Sequence, residues 1–334
     1  MKWFAFRDRG PTSYPQRVFW SYLPDWIITI ALWGLFYLVD KIDGYRRLFD
    51  VNDTSLAHPY RLHERVPVWL LAVVTGLGPA IIIVLLAAMR RSFWDAHNGL
   101  LGLVLALGLS VTFTDVLKIA AGRPRPDLFG RCQLPESYQS NPVHGLTSWR
   151  ECTETSLLKD GFRSFPSGHS SFAWTGMWYL VLYLAAKFRI TNQRGYTIKS
   201  WTLLLPLCCA SLISISRTMD YRHHATDVIA GAIIGILAGW WGYRQYYPPL
   251  AAPSSWRPYA PRIPPDEGPL PLHEMSTGGT AAGERVPLSG AGAVPGATPP
   301  GTVGTNHGHN VAFANNGNAQ AYTSYPPPSH QASV

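Results

Sequence analysis

Charge is what this sequence has least of. Asp, Glu, Lys and Arg make up 14% of its 334 residues, where a soluble domain carries about 25%, so a water-covered globular fold is disfavoured. Cysteine is also sparse, with four in all. Cys208 and Cys209 fall inside an apolar run and are expected to be packed thiols. Cys132 and Cys152 share one long loop, where an oxidising compartment would let them bridge. A cleavable signal peptide is missing: Lys2, Arg7, Arg9 and Arg17 precede the first apolar run, but that run starts late and ends without a small-residue cleavage site. It reads as a retained first span. N-x-S/T sequons are missing as well, save one, Asn52-Asp53-Thr54, which makes Asn52 the candidate glycosylation site.

What the chain does have is long apolar runs. A helix crossing about 30 Å of hydrocarbon needs roughly 20 apolar residues. Six segments approach this: 23–39, 68–89, 99–121, 171–187, 201–215 and 227–243. The expectation is an all-α polytopic membrane protein, a six-transmembrane-helix bundle over 23–245, preceded by a cytosolic segment 1–22. Thirteen tryptophans suit anchoring at the membrane interface. With six crossings both termini share one face, and loops 40–67, 122–170 and 216–226 share the other. The counts of Lys and Arg do not orient the bundle, but Asn52 and the Cys132/Cys152 loop favour a luminal or extracellular second face, with cytosolic termini. From 246 to 334 the chain turns rich in Pro, Gly and Asn with little periodic apolar content, so that tail is expected to be disordered. His307 and His309 within it read as incidental.

Three polar stretches interrupt this pattern at span ends on the loop-rich face. They are Lys118-Ile-Ala-Ala-Gly-Arg-Pro-Arg125-Pro126, then Pro166-Ser167-Gly168-His169, then Ser216-Arg217 followed by His223 and Asp227. Lys and Arg offer a point charge and a planar fork suited to phosphate oxygens. Pro124 and Pro126 argue that the chain leaves the helix after Lys118 and turns back. Asp115, one turn before Lys118, offers it an alternative partner. Ser167 reads as an N-cap and Gly168 as a point of close backbone approach, and the free amides of a helix start hold anions. His223 and Asp227 stand four apart, on one face if helical, so the carboxylate would keep one imidazole nitrogen protonated and leave the other free to attack phosphorus. His224 would point elsewhere on that helix. Clustered carboxylates and histidines of a two-metal site are absent, so metal-independent chemistry is expected.

Order and spacing of these stretches resemble the type 2 phosphatidic acid phosphatase superfamily, most closely its eukaryotic, fungal-like lipid phosphate and diacylglycerol pyrophosphate phosphatases. The resemblance covers about 115–235. It implies that His223 is the nucleophile forming a phosphohistidine, that Asp227 orients it, and that His169 is the general acid and then base. It also implies that Lys118, Arg125, Ser167, Gly168 and Arg217 hold the phosphoryl oxygens. Arg123 and Asp127 fit the local pattern without an assigned role, and Ala225 stands where many relatives have an aromatic residue. The implied substrates are membrane lipid phosphates in the bilayer: phosphatidic acid, lysophosphatidic acid and diacylglycerol pyrophosphate. No cofactor and no nucleic-acid partner is expected. Sphingoid-base, polyprenyl or sugar phosphates, phosphotransfer to a lipid acceptor, and a non-enzymatic receptor are the alternatives the motifs leave open.

Overall fold

The computed structural model describes residues 14–135, 138–139, 144–192 and 194–263. The long helices among them are α1 (Tyr14–Asp40), α2 (Val68–Ala72) running through a π-helical turn (Val73–Leu77) into α3 (Gly78–Met89), and α4 (Phe93–Ala121). Short α5 (Leu128–Cys132) and α6 (Leu158–Gly161) follow, then α7 (Gly168–Lys187), α8 (Thr197–Met219) and α9 (Ala225–Tyr246). Among the described residues the only strand-like pairing is one antiparallel bridge, Phe49 to Thr147.

Five of these helices are long and apolar enough to cross a membrane: Tyr14–Asp40, Val68–Met89, Phe93–Ala121, Thr197–Met219 and Ala225–Tyr246. They expose large apolar side chains such as Ile30, Leu38, Trp69, Leu85, Leu205 and Ile229 outward, as lipid-facing helices must where no water is present to reward polar groups. The sequence-expected fourth span, α7, falls outside this set because it carries Ser, His, Thr, Tyr and Trp in place of aliphatics. Its position explains the composition: fifteen of its 20 residues are buried, so its neighbours screen it from the surroundings.

α7 and α9 are the closest pair. Gly231, Gly235 and Gly239 form a ridge on α9, and a Cβ on them would lie 2.5, 2.5 and 2.9 Å from the carbonyl oxygens of Ser167, Ser171 and Thr175. Small residues at this spacing let helix backbones approach closely within a membrane. The contact locks the start of α7 beside the start of α9, and both starts carry motif residues.

The loops gather at two ends. At one, Tyr45 N donates to Ile119 O (2.8 Å), Ser164 N to Arg123 O (3.1 Å) and His58 N to Pro126 O (3.1 Å). Arg163 pairs with Asp40 (2.7 Å) and Arg65 with Asp220 (2.7 Å). A Cys132–Cys152 disulfide ties α5 to the loop after it, with Cα atoms 4.7 Å apart. Asn52 is exposed at this end.

At the other end the sequence boundaries need correction. α1 begins at Tyr14, inside the segment 1–22 expected to precede the bundle. Residues 247–263, placed in a disordered tail, pack against the helix ends: Trp94 Nε1 donates to Tyr259 O (2.9 Å), Lys187 Nζ to Trp256 O (2.8 Å), and Arg262 pairs with Asp25 (2.5 Å). Composition hid this because Tyr247, Trp256 and Tyr259 are few and aperiodic, yet each has a pre-formed partner. The expectation for 264–334, with His307 and His309, lies outside the described residues. Cys208 is exposed on α8 and Cys209 half-buried, so the first is no packed thiol.

Candidate active site

Lys118 stands in the last turn of α4, and Gly122 ends that helix in the left-handed region at φ 54°. A side chain there is excluded twice over, by the backbone angle and by the Tyr45 carbonyl against which a Cβ would press. The chain then turns as its prolines suggested. Arg125 N bonds Gly161 O (2.8 Å), and the Arg125 side chain, nearly buried, gives Nη2 to Asp160 Oδ1 (2.6 Å) while its Nε finds no partner. Lys118 forms no hydrogen bond or ion pair with any described residue, Asp115 included. A Cβ on Gly168 would lie 2.9 Å from Lys118 Nζ, so the bare glycine lets the ammonium reach the start of α7.

Ser167 occupies the cap position of α7, but its hydroxyl makes no cap bond and is buried without a partner. The expected capping role is therefore not what the side chain does. Its backbone N instead donates to Asp227 O (2.9 Å). The amides of Gly168, His169 and Ser170 have no backbone acceptor among the described residues, which leaves three donors and an orphan hydroxyl beside two cations. His169 places Nε2 3.0 Å from Val66 O and 3.6 Å from Glu64 Oε2.

His223 lies outside any helix, since α9 begins at Ala225 with His224 as its cap. The shared-face expectation for His223 and Asp227 is corrected accordingly. His223 Nδ1 sits 2.6 Å from Ser164 O. A carbonyl only accepts, so Nδ1 carries the proton and Nε2 keeps its lone pair. Asp227 Oδ2 is 4.0 Å from that Nδ1, beyond hydrogen-bond reach. Its carboxylate instead accepts from Ser164 Oγ (2.5 Å), His224 N (3.0 Å) and Arg123 Nη1 (2.6 Å). His224 Nδ1 is also nearer to it, at 3.3 Å, than His223 is, contrary to the expectation for His224. Burial, then the charges of Arg125 and Lys118, hold the His223 imidazole well below its ordinary pKa, and therefore neutral.

Lys118, Arg125, Gly168, His169, Arg217 and His223 line one cavity of about 420 Å³. Ser167 and Asp227 are buried just behind its wall. Sequence reading missed several partners. Glu64 bonds Arg217 (2.9 Å) and approaches Arg222 (3.4 Å); Asp160 pairs with Arg125 (2.6 Å) and Arg131 (3.0 Å). Arg222, also lining the cavity, gives Nη2 to Arg61 O (2.9 Å). Arg123 and Asp127, left without a role, pair with Asp227 and Arg131. Partial burial alone would raise the Asp160 carboxyl, but Arg125, Arg131, Lys118 and Arg222 outweigh it and pull it down to about 2. Only Arg222, beside His223, had a sequence cue; Glu64 sits in a loop and Asp160 in the short α6, neither within a motif. The lining also has an apolar part, made by Trp33, Phe36, Val68, Leu71, Val111 and Phe172.

A cationic cup with free helix amides and neutral imidazoles, set at the end of apolar helices, defines a membrane protein built to handle phosphate. The family follows from comparison: the chain belongs to the PAP2 superfamily, whose model matches residues 99–249. It is 36% identical over 241 residues to a probable diacylglycerol pyrophosphate phosphatase 1 of Schizosaccharomyces pombe, covering 70% of this chain and 84% of that one. It is 35% identical over 248 residues to diacylglycerol pyrophosphate phosphatase 1 of Saccharomyces cerevisiae (71% and 83%). To lipid phosphate phosphatase 2 of Arabidopsis thaliana it is 34% identical over 241 residues (72% and 82%). No solved structure matches it. The protein is thus a phosphatase-type hydrolase of the membrane.

Proposed function

We propose that this protein is a magnesium-independent lipid phosphate phosphatase that hydrolyses phosphatidic acid, lysophosphatidic acid or diacylglycerol pyrophosphate through a phosphohistidine. The observation that carries this reading is the mixed lining of the cavity, which joins cations and imidazoles to aliphatic and aromatic side chains. A head-group phosphate suits the charged residues while the glycerol and proximal acyl carbons suit the apolar ones.

In this reading Lys118, Arg125, Arg217 and the amides at the start of α7 bind the phosphoryl oxygens, with Ser167 Oγ as a further donor and Arg222 beside them. They stabilise the charge that develops in transfer. His223 Nε2 attacks phosphorus; a P–N bond forms, the P–O ester bond breaks, and His169, protonated once the negative substrate enters the cup, gives its proton to the departing oxygen. Glu64, 3.6 Å from His169 Nε2, offers a counter-charge to the protonated ring. Water then attacks phosphorus, its proton passes to His169, the P–N bond breaks and phosphate leaves. Asp227 acts at one remove, by fixing Ser164. Among the described residues no three His, Cys, Asp or Glu side chains converge to hold a metal ion, and fixed cations supply the charge, which supports magnesium independence.

α7 completes six crossings as the screened central span, placing the termini together on the cytosolic face. The exposed Asn52 and the disulfide support a luminal or extracellular cup, on the endomembrane system or plasma membrane. Phosphate release in excess chelator, from phosphatidic acid in mixed micelles and from a water-soluble phosphate ester, tests the reading. Leu71→Glu in the apolar part of the lining is expected to lower kcat/KM at least tenfold for the lipid, about what one buried leucine contributes, and to spare the soluble ester. Equal losses on both substrates, or strict dependence on Mg²⁺, would refute it.

A further inference from the structure

Opposite the catalytic cup, the other end of the bundle collects cations that no carboxylate neutralises. Two carboxylates lie there among the described residues, and both are taken: Asp95 by Lys187 and Asp25 by Arg262. Arg90, Arg91, Arg189, Arg194, Lys199 and Arg257 form no ion pair with any described residue.

Three of these guanidinium groups converge on one indole, Arg90 also giving Nη2 to Lys187 O (3.0 Å). Arg257, Arg189 and Arg90 stand 4.0, 4.9 and 5.8 Å from the Trp256 ring centroid. Beside them opens a cavity of about 530 Å³ between the α3–α4 turn and the 256–260 strap, lined by Arg90, Ser92, Trp94, Trp256, Arg257 and Tyr259, with Asp95, whose charge Lys187 balances, also in its wall. Turn chemistry does not account for the arginines nearby. Arg91 and Arg189 both hold left-handed backbone angles, φ 53° and 48°, where Gly or Asn is less strained. The strap that walls the cavity is anchored on the bundle, through Lys187 Nζ to Trp256 O (2.8 Å) and Trp94 Nε1 to Tyr259 O (2.9 Å).

We infer that this cavity is a second, non-catalytic lipid site that binds the phosphodiester head group of an anionic phospholipid of the adjoining leaflet. Guanidinium forks match phosphate oxygens. Trp94, Trp256 and Tyr259 supply aromatic rings at head-group depth, against which the glycerol backbone lies. An anionic leaflet draws basic side chains to its surface, and unpaired arginines at a membrane end are the groups such a lipid satisfies. The site differs from the cup in its ligand: a phosphodiester has no phosphoryl monoester to transfer, and no imidazole lines this cavity.

The test uses full-length protein in detergent micelles, supplied with phosphatidylserine or phosphatidylcholine, and counts retained lipid by native mass spectrometry. Each basic residue at an anionic lipid surface strengthens binding about fivefold, so Arg90→Gln with Arg257→Gln is expected to weaken phosphatidylserine retention about twenty-five-fold. Arg189→Gln, exposed and structurally undemanding, is expected to weaken it about fivefold, which keeps the test alive if the double variant does not fold. Lys118→Met, in the cup, is expected to leave retention unchanged, and millimolar inorganic phosphate is expected not to displace the lipid. Retention unaffected by all three arginine changes would overturn the inference. So would equal retention of phosphatidylcholine, loss on Lys118→Met instead, or displacement by free phosphate. A cup inactive toward every phosphate ester would sink the proposed activity and leave this result standing.

Discussion

Asp227→Asn distinguishes two ways of holding a nucleophilic imidazole. If the carboxylate itself bonded the ring, its loss would release the tautomer and cost roughly 10⁴-fold in kcat. Here the ring bond goes to Ser164 O (2.6 Å), and Asp227 reaches the ring only through Ser164 Oγ (2.5 Å). Removing the charge weakens one charge-assisted hydrogen bond, worth about 1.5–3 kcal/mol, and leaves the carbonyl in place. That converts to a loss of roughly 10- to 150-fold. Ser164→Ala cuts the same link without altering charge and is expected to fall in the same range. Arg123, which also loses its partner in Asp227→Asn, is partly exposed and can rehydrate, so thermal unfolding in detergent separates a folding defect from a catalytic one. The assay is single-turnover phosphate release from phosphatidic acid in mixed micelles. A loss near 10⁴-fold in folded Asp227→Asn, with Ser164→Ala almost unaffected, would refute the indirect arrangement and put the carboxylate on the ring in the reacting state.

Stability should fall with acid in a way traceable to His223. Its imidazole is neutral in the fold, with a pKa well below 6.5, but binds a proton in the unfolded chain below about 6.5; the unfolded state then holds more protons, so stability is lost as pH falls below that value. His223→Gln should flatten the drop in Tm between pH 6.5 and 5, and an unchanged slope would contradict the assigned neutrality. Gly235→Val, itself outside the cup's lining, would drive a side chain into the Ser171 carbonyl, since even a Cβ would lie 2.5 Å away; a destabilisation of about 1–3 kcal/mol, seen as a lower Tm with falling activity, is expected, and a neutral result would show that α7 and α9 are not closely packed. Glu64→Gln removes the nearer of the two carboxylates on Arg217 (2.9 Å, against 3.3 Å for Asp220), so inhibition by inorganic phosphate should tighten severalfold while Tm falls; weaker inhibition would mean that Glu64 supports anion binding and does not compete with it.

Helix positions were legible because lipid-facing helices announce themselves by length and hydropathy. Val68–Met89 coincides with the expected span, and the ends of α4, α7, α8 and α9 fall within a few residues of expectation. The misjudged place is one where tertiary contact replaces composition: 247–263 is ordered because three aromatic residues and Arg262 find fixed partners. Which residues meet in the cup was legible too, since Lys118, Arg125, His169, Arg217 and His223 share one cavity. What each one touches was not. The spacing of His223 and Asp227 suggested a helix face, but the helix starts two residues after His223, and a backbone carbonyl with no side-chain signature took the position that the carboxylate was expected to fill.

The carboxylates that sequence reading missed follow from the same electrostatics that made the cations visible. Lys118, Arg125, Arg217 and Arg222 crowd one cavity, and buried like charges without partners are costly. In the absence of substrate something anionic must share the space, and Glu64 and Asp160 do so from a loop and from the short α6. They hold the guanidinium groups in position without occupying Lys118, whose ammonium stays unpaired beside the open amides of α7. An entering phosphate therefore meets one free cation and three free N–H donors first. It gains the arginines only by competing with Glu64 and Asp160, so a dianion, with more charge to offer each guanidinium than a monoanion, is favoured. If the proposed activity holds, selectivity for phosphomonoesters over the phosphodiesters that make up most of a bilayer would rest on side chains outside every motif.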